Sequence, residues 1–293
     1  MICAGAHAEG ASVQVTSHPA GAKIYVNGYF KGRTPETVTI SSAGEEAAGY
    51  RFTLHLPGFK PWDMTLELAA GQSKSIYATL ERLPSAAGGR TVCIDPGHPS
   101  ETSDGCTGPN GVTENHINWV IATKLKSLLE QAGATVVMTK QSESENVTNR
   151  RRAEIANAAG ADIMIRLHCD AASGRGFAIY YPDRQGTKYG VTGPSQSVIA
   201  ASKAAATPFY EGMKASLAGS LGGRGVHGDS ATYIGGQQGA LTGSIFSQVP
   251  VLTIEMVVLT NASDESFIKG ETGQSEMVEG LKAGLESYFQ SLQ

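Results

Sequence analysis

With 293 residues, 41% of them hydrophobic and 17% charged, the chain has an ordinary globular composition and room for one large domain and a small one. A formal net charge of −4 argues against nucleic acid or an anionic membrane as partner, since both need a clustered positive surface. No apolar stretch in the sequence approaches the roughly 20 residues that a membrane-spanning helix needs.

Taken in chain order, Met1 to Ala8 is too short for a signal peptide, yet Ala6-His7-Ala8 has the small-x-small form of a signal-peptidase site. Residues 1–10 are read as a leader remnant, with a frayed cytosolic terminus as the alternative. A lipid anchor on Cys3 is disfavoured because almost nothing apolar precedes it.

Residues 11–83 read as all-β. Val13 to Thr16 and Lys23 to Val26 alternate apolar and polar, the period of a half-buried strand. Asn27-Gly28 follows, a strong hairpin signal, and Tyr29 to Gly32 returns. Arg51 to Leu56, Met64 to Leu68 and Ser75 to Leu80 alternate in the same way, and Ala43 to Gly49 reads as a surface turn. The turn Pro19-Ala20-Gly21-Ala22, with Gly28, Gly32-Arg33-Thr34-Pro35 and Pro57-Gly58-Phe59-Lys60-Pro61-Trp62, resembles the PEGA domain, with Ala20 in place of the family's Glu. That resemblance implies a small β-sandwich serving as an extracytoplasmic accessory or surface-binding module. Trp62 is read as exposed, with packing favoured over binding.

Residues 84–89, Pro84-Ser85-Ala86-Ala87-Gly88-Gly89, are small and aperiodic and read as a linker. From residue 90 to 293 strands and helices alternate. Strands are expected at 91–94, 135–138, 162–167, 177–181 and 251–254, and helices at 113–132, 150–159, 195–221 and 276–292, with Pro208 kinking or interrupting the third helix. This alternation implies an α/β domain with a mainly parallel sheet and helices on both faces. The run Arg150-Arg151-Arg152 is read as holding local carboxylates or solvent.

Four segments carry polar groups capable of chemistry. His98 follows a strand and a Pro-Gly turn, Glu114 opens a helix behind Thr113, a plausible N-cap, His168 ends a strand, and Glu255 stands in an apolar run. Side chains at strand ends and a helix start can form a site outside the carboxyl edge of a sheet. Two His and a Glu are a set that catalytic zinc uses, with a fourth position left for water. In that form zinc brings the pKa of bound water near ~7 and polarises a carbonyl oxygen. Asp95 is placed to orient His98 or its loop. Glu255 is costly to bury unless it is paired or functional. It either carries a proton for amide hydrolysis or pairs with Arg166 or Arg224. His116 and His227 are not counted as functional groups. Cys3, Cys93, Cys106 and Cys169 show no CxxC spacing, which makes thiolate metal binding improbable; whether Cys106 and Cys169 form a disulfide stays open.

Ile94-Asp95-Pro96-Gly97-His98, the helix-opening Glu114, Asn149-Arg150-Arg151, Arg166-Leu167-His168-Cys169-Asp170-Ala171 and Leu252-Thr253-Ile254-Glu255-Met256 together resemble the zinc-dependent N-acetylmuramoyl-L-alanine amidases of the Amidase_3 type. The resemblance covers residues 90–293 in order. It implies zinc (Zn2+) held by His98, Glu114 and His168, with Glu255 as catalytic acid and base. The implied reaction is hydrolysis of the bond between N-acetylmuramic acid and L-Ala. Pro99-Ser100, Cys169 and Met256-Val257-Val258 depart from the family pattern, and Pro182 to Val249 fits least well. The loops Gly222 to His227 and Gly235 to Gly239 are expected to line the substrate groove. The expected protein is an extracytoplasmic, monomeric enzyme acting on the glycan strand and stem peptide of peptidoglycan, with any protein activator unknown. The alternatives are a catalytically silent wall-binding or regulatory protein, and a zinc peptidase acting on a non-wall amide.

Overall fold

The computed structural model describes residues 10–293 apart from 42, 57 and 83. The leader reading and Cys3 therefore lie outside the described residues. The chain divides into two compact units, Met1–Pro84 and Ser85–Gln293.

Among the described residues the first unit has seven strands: β1 (Ala11–His18), β2 (Lys23–Val26), β3 (Tyr29–Arg33), β4 (Glu36–Ile40), β5 (Ala48–His55), β6 (Trp62–Leu68) and β7 (Ser73–Thr79). They form two sheets, ordered β4-β1-β7 and β3-β2-β5-β6. Alternate residues such as Val13, Val15, Ile24, Phe52, Leu54 and Ile76 point into one apolar core, as the period of two requires. Asn27 and Gly28 both take positive φ, 49° and 85°, which a tight β2–β3 turn demands. Strand β4 was not expected, and β5 starts at Ala48, so the turn expected over 43–49 is shorter. Trp62 is half-buried and packs against the core rather than standing free.

The second unit contains β8 (Thr91–Pro96), α1 (Glu114–Gln131), β9 (Thr135–Met138), α2 (Asn149–Ala158), β10 (Ile163–Asp170), β11 (Phe177–Tyr181), β12 (Gly186–Lys188), β13 (Val191–Gly193), α3 (Gln196–Ser216), β14 (Gly223–Gly228), α4 (Tyr233–Gln238), α5 (Thr242–Ile245), β15 (Val251–Val258), α6 (Ala262–Lys269) and α7 (Glu271–Gln290). Its main sheet has the order β14-β11-β15-β10-β8-β9. Every neighbouring pair is parallel except β11 with β15. Helix α3 runs through Pro208 without interruption. Proline removes the N–H that would bond Ala204, but Phe209 and Met213 just beyond it are buried in the core.

Alternation along the strands sorts their residues onto two faces. Val92, Ile94, Ile163, Ile165, Leu167, Leu252 and Ile254 meet α1, α3 and α7 in the larger core. The opposite face carries Cys93, Met164 and Val251 against Ala156 of α2. One step up that face, Asp95, Arg166 and Thr253 lie in register across β8, β10 and β15. One step further, His168 lies opposite Glu255. Both strands continue past these residues, to Asp170 and Val258, so His168 and Glu255 sit on the α2-side face near the carboxyl ends, not beyond the sheet edge. Between this pair and the next, Asp170 opposite Val258, the register shifts by one residue. Such a bulge re-aims side chains locally, and here Met256 and Val257 both enter the larger core.

Candidate active site

Glu114 is the first residue of α1 and is buried. Thr113 occupies the N-cap position but makes no capping side-chain bond. Glu114 Oε1 lies 3.2 Å from His98 Nε2 and 3.1 Å from His168 Nδ1. The same oxygen accepts the Cys169 N–H at 3.1 Å, and Oε2 accepts the Cys106 N–H at 2.9 Å. Burial opposes ionisation of this carboxyl, but bonding to His168 and His98 outweighs it and holds Glu114 well below the usual carboxylate range. Burial also opposes the charge on His98, yet its bond to Glu114 raises that imidazole. Burial lowers His168, and its bond to Glu114 only partly offsets this.

His98 Nδ1–H donates to the Ser103 carbonyl at 3.0 Å, which fixes the ring and turns Nε2 toward Glu114. The His98 backbone takes φ 60°. The His168 ring lies so close over Gly97 that a Cβ there would come within 2.4 Å of His168 Cε1. One ligand atom from each of His98, Glu114 and His168 falls within 4.8 Å of the others. Ligands about 2.0–2.1 Å from a tetrahedral zinc stand a little over about 3 Å apart, close to the two His–Glu separations. Two imidazoles and one carboxylate are donors suited to that cation, and the buried Nε2 of His168 has no hydrogen-bond partner among the described residues.

Glu255 lines the same groove as His98 and His168. Its Oε2 is buried and has no hydrogen-bond partner among the described residues. The two arginines considered as its counter-ions are engaged elsewhere: Arg166 Nε with Asp95 at 2.9 Å, and Arg224 with Asp170 at 2.8 Å. Burial, reinforced by the charges of Glu114 and Asp170, pushes the Glu255 carboxyl well above its ordinary value. This carboxyl therefore holds a proton more readily than an exposed one.

Asp95 does not touch His98. It accepts from Arg152 at 2.7 Å, Arg166 at 2.9 Å and Thr139 at 2.5 Å. Burial would raise it, but the two guanidinium groups hold it well below the carboxylate range. Arg152 in turn donates to the carbonyls of Pro96 and Pro99, both at 2.7 Å. Lys140 donates to the His98 carbonyl and, at 2.8 Å, to Asn115. Asp95 thus acts on the His98 loop through Arg152, and Lys140 grips it from a second side. Burial, then the nearby Arg152 charge, brings Lys140 down to about 8.

Of the run Arg150-Arg151-Arg152, read as holding local carboxylates or solvent, the first two pair with the nearby Glu154. Arg152, 1% exposed, holds the buried Asp95 of β8 instead of a local carboxylate or solvent. The missed signal was helical spacing: Arg152 shares a face of α2 with Ala156, which meets the sheet. His116 is exposed beside Glu143 at 3.2 Å, and His227 bonds the Arg224 carbonyl at 3.0 Å. Cys93, Cys106 and Cys169 are free thiols. The two glycine-rich loops expected at the groove are regular structure: 223–228 is edge strand β14 and 233–238 is α4. The groove wall comes from their neighbourhood, through Lys188, Ile234, Leu241 and Thr242. Nothing from α3 lines it.

A family profile described as N-acetylmuramoyl-L-alanine amidase (Amidase_3) matches residues 92–287. The chain belongs to this amidase family. A PEGA domain profile matches residues 11–84. Among curated relatives, N-acetylmuramoyl-L-alanine amidase LytC of Bacillus subtilis (strain 168) is 27% identical over 206 residues, 69% of this chain and 36% of LytC. The chain thus spans about a third of that relative's length. Among solved structures, the N-acetylmuramyl-L-alanine amidase Ami1 from Mycobacterium smegmatis aligns with TM-score 0.59 and 19% identity, covering 70% of this chain and 99% of Ami1. The N-acetylmuramoyl-L-alanine amidase from Clostridium difficile 630 aligns with TM-score 0.57 and 24% identity, covering 70% of this chain and 98% of that one. These two likenesses establish the α/β amidase fold of the second unit.

Proposed function

We propose that this amidase-family protein is a zinc-dependent N-acetylmuramoyl-L-alanine amidase, hydrolysing the amide between N-acetylmuramic acid and L-Ala in peptidoglycan. The observation that carries the reading is a single groove in which two imidazoles converge on the Glu114 carboxylate while Glu255, whose buried Oε2 has no hydrogen-bond partner among the described residues, stands opposite His168. On this reading His98, Glu114 and His168 hold the metal. Bound there, zinc supplies Lewis acidity toward the scissile carbonyl and toward water. Glu255 takes the proton of the attacking water and delivers it to the departing L-Ala nitrogen. One carboxyl can do both because burial raises it above its ordinary value, which suits a group that first accepts a proton and then returns it. Arg152 and Lys140 keep the His98 loop in place through its backbone carbonyls.

The proposed organisation is a PEGA-like sandwich over 11–83, a linker over 84–89 and the catalytic domain over 90–293. The proposed location is extracytoplasmic, where peptidoglycan lies, with the PEGA unit as an accessory module. Among the described residues no helix is long and apolar enough to cross a membrane. The test is turnover on purified sacculi with metal content measured in parallel. Zinc-loaded protein should release free L-Ala amino groups, a chelator should stop release and added zinc restore it. Undiminished release by Glu255→Ala would sink the assignment of the proton carrier.

A further inference from the structure

We infer that Lys188 is a specificity-determining residue that binds a free carboxylate on the peptide side of the substrate. The inference rests on the amidase reading above and deepens it. Three cationic side chains line the groove, Arg152, Arg166 and Lys188. The first two are committed to the fold: Arg152 to Asp95 and backbone carbonyls, Arg166 to Asp95 and Asn149. Lys188 has no ion pair or hydrogen bond among the described residues. Its ammonium stands 5.3 Å from the centre of the Tyr189 ring, a contact that leaves its N–H donors free.

The element that carries Lys188 is fixed at its root and open at its tip. Strands β12 and β13 pair with Gly186 opposite Gly193 and Lys188 opposite Val191. Both root glycines lie flush on the wall behind them. A Cβ at Gly186 would come within 2.6 Å of the Ala240 nitrogen, and one at Gly193 within 2.3 Å of the Ile245 oxygen. At the tip, Tyr189 stacks against Phe246 with ring centroids 6.4 Å apart. The wall itself is stapled from within, with Asp229 accepting the Leu241 N–H at 3.0 Å and Asp183 accepting the Ser230 N–H at 3.0 Å. Lys188 is thus presented on a supported hairpin, not on a loose loop.

Its surroundings suit an anion carried on a peptide. Ile234, 43% exposed, lines the same groove, and Tyr189 and Tyr233 are 61% and 79% exposed on the hairpin and on α4. Apolar surface beside an ammonium lowers the local dielectric and strengthens its attraction for a carboxylate. The stem peptide of peptidoglycan carries free carboxylates close to the scissile amide, and in some walls the second residue's carboxylate is amidated. An ammonium with no ion pair among the described residues, carried into the groove by a supported hairpin, discriminates between these two forms.

The test uses the full zinc-loaded chain and two soluble muramoyl peptides that differ only in a free or amidated carboxylate on the second stem residue. Sacculi serve as the reference substrate. Wild-type protein should show a KM about five- to tenfold lower for the free acid, the range between an exposed and a buried charge-assisted contact. Lys188→Gln should raise KM for the acid to that of the amide with kcat little changed, and Lys188→Arg should restore most of the preference. Normal turnover with discrimination unchanged in Lys188→Gln would overturn this inference alone. No turnover of sacculi by wild-type protein would overturn the amidase reading and this inference with it.

Discussion

Replacing Arg152 with Met tests whether the His98 loop depends on a buried charge cluster. The guanidinium is 1% exposed and makes four hydrogen bonds, to Val147 O at 2.8 Å and to Asp95, Pro96 O and Pro99 O at 2.7 Å each. Methionine fills much of the volume but supplies no donor. Asp95 keeps Arg166 and Thr139, so its charge is weakened in support rather than abandoned. Removing one partner of a buried pair costs about 3–5 kcal/mol. At about 3 °C per kcal/mol for a domain of this size, a loss of about 4 kcal/mol lowers Tm by about 12 °C. The helical circular-dichroism signal is the right readout, because the described helices all belong to the second unit. A pH series gives a second check. Asp95 titrates below its unfolded value of about 3.9, so its contribution is present above that pH and is lost as pH falls through the folded value. The gap between wild type and variant should therefore narrow below pH about 4. A loss under about 1 kcal/mol at neutral pH, or a gap independent of pH, would refute the reasoning.

Glu255→Gln should cut turnover on sacculi by at least about a hundredfold while leaving zinc content unchanged. The same variant should be more stable than wild type in the metal-free protein at neutral pH. A raised folded-state pKa means stability present at low pH that is lost as pH rises toward that value, so the difference should vanish below pH about 4. Glu114→Gln should weaken zinc binding at least about a hundredfold by chelator competition, since it removes the charge between the two imidazoles. Gly97→Ala should also lower metal affinity, by displacing the His168 ring that its methyl group would meet at 2.4 Å. Unchanged affinity in that variant would mean the ring is free to move.

Much of the second unit could be read from its apolar runs, such as Ile163-Met164-Ile165 in β10 and Val251-Leu252-Thr253-Ile254 in β15, set between helical stretches. Strands β9 and β11 fall where the alternation of elements put them. Strand β14 escaped because Gly223, Gly225 and Gly228 erase any pattern. Its strand state comes from pairing with β11 at the sheet edge, where glycine is tolerated and propensity counts for little. Residue types at strand ends and a helix start made His98, Glu114 and His168 a candidate set, but family resemblance decided it, since separations of many residues do not fix distance in space. Arg152 was hidden by its two exposed neighbours, and Lys188 by a hairpin of three-residue strands too short to register as a pattern.

Asp95, Arg166, His168, Thr253 and Glu255 stand on alternate positions of three adjacent parallel strands. Their mutual spacing is thereby set by the hydrogen-bond ladder, and no single side-chain change rescales it. The hairpin and the 229–245 wall hang outside that lattice, joined to it by loops. This outer wall can therefore be exchanged as a block while those five residues keep their spacing, much as a tool takes a new grip without regrinding its blade.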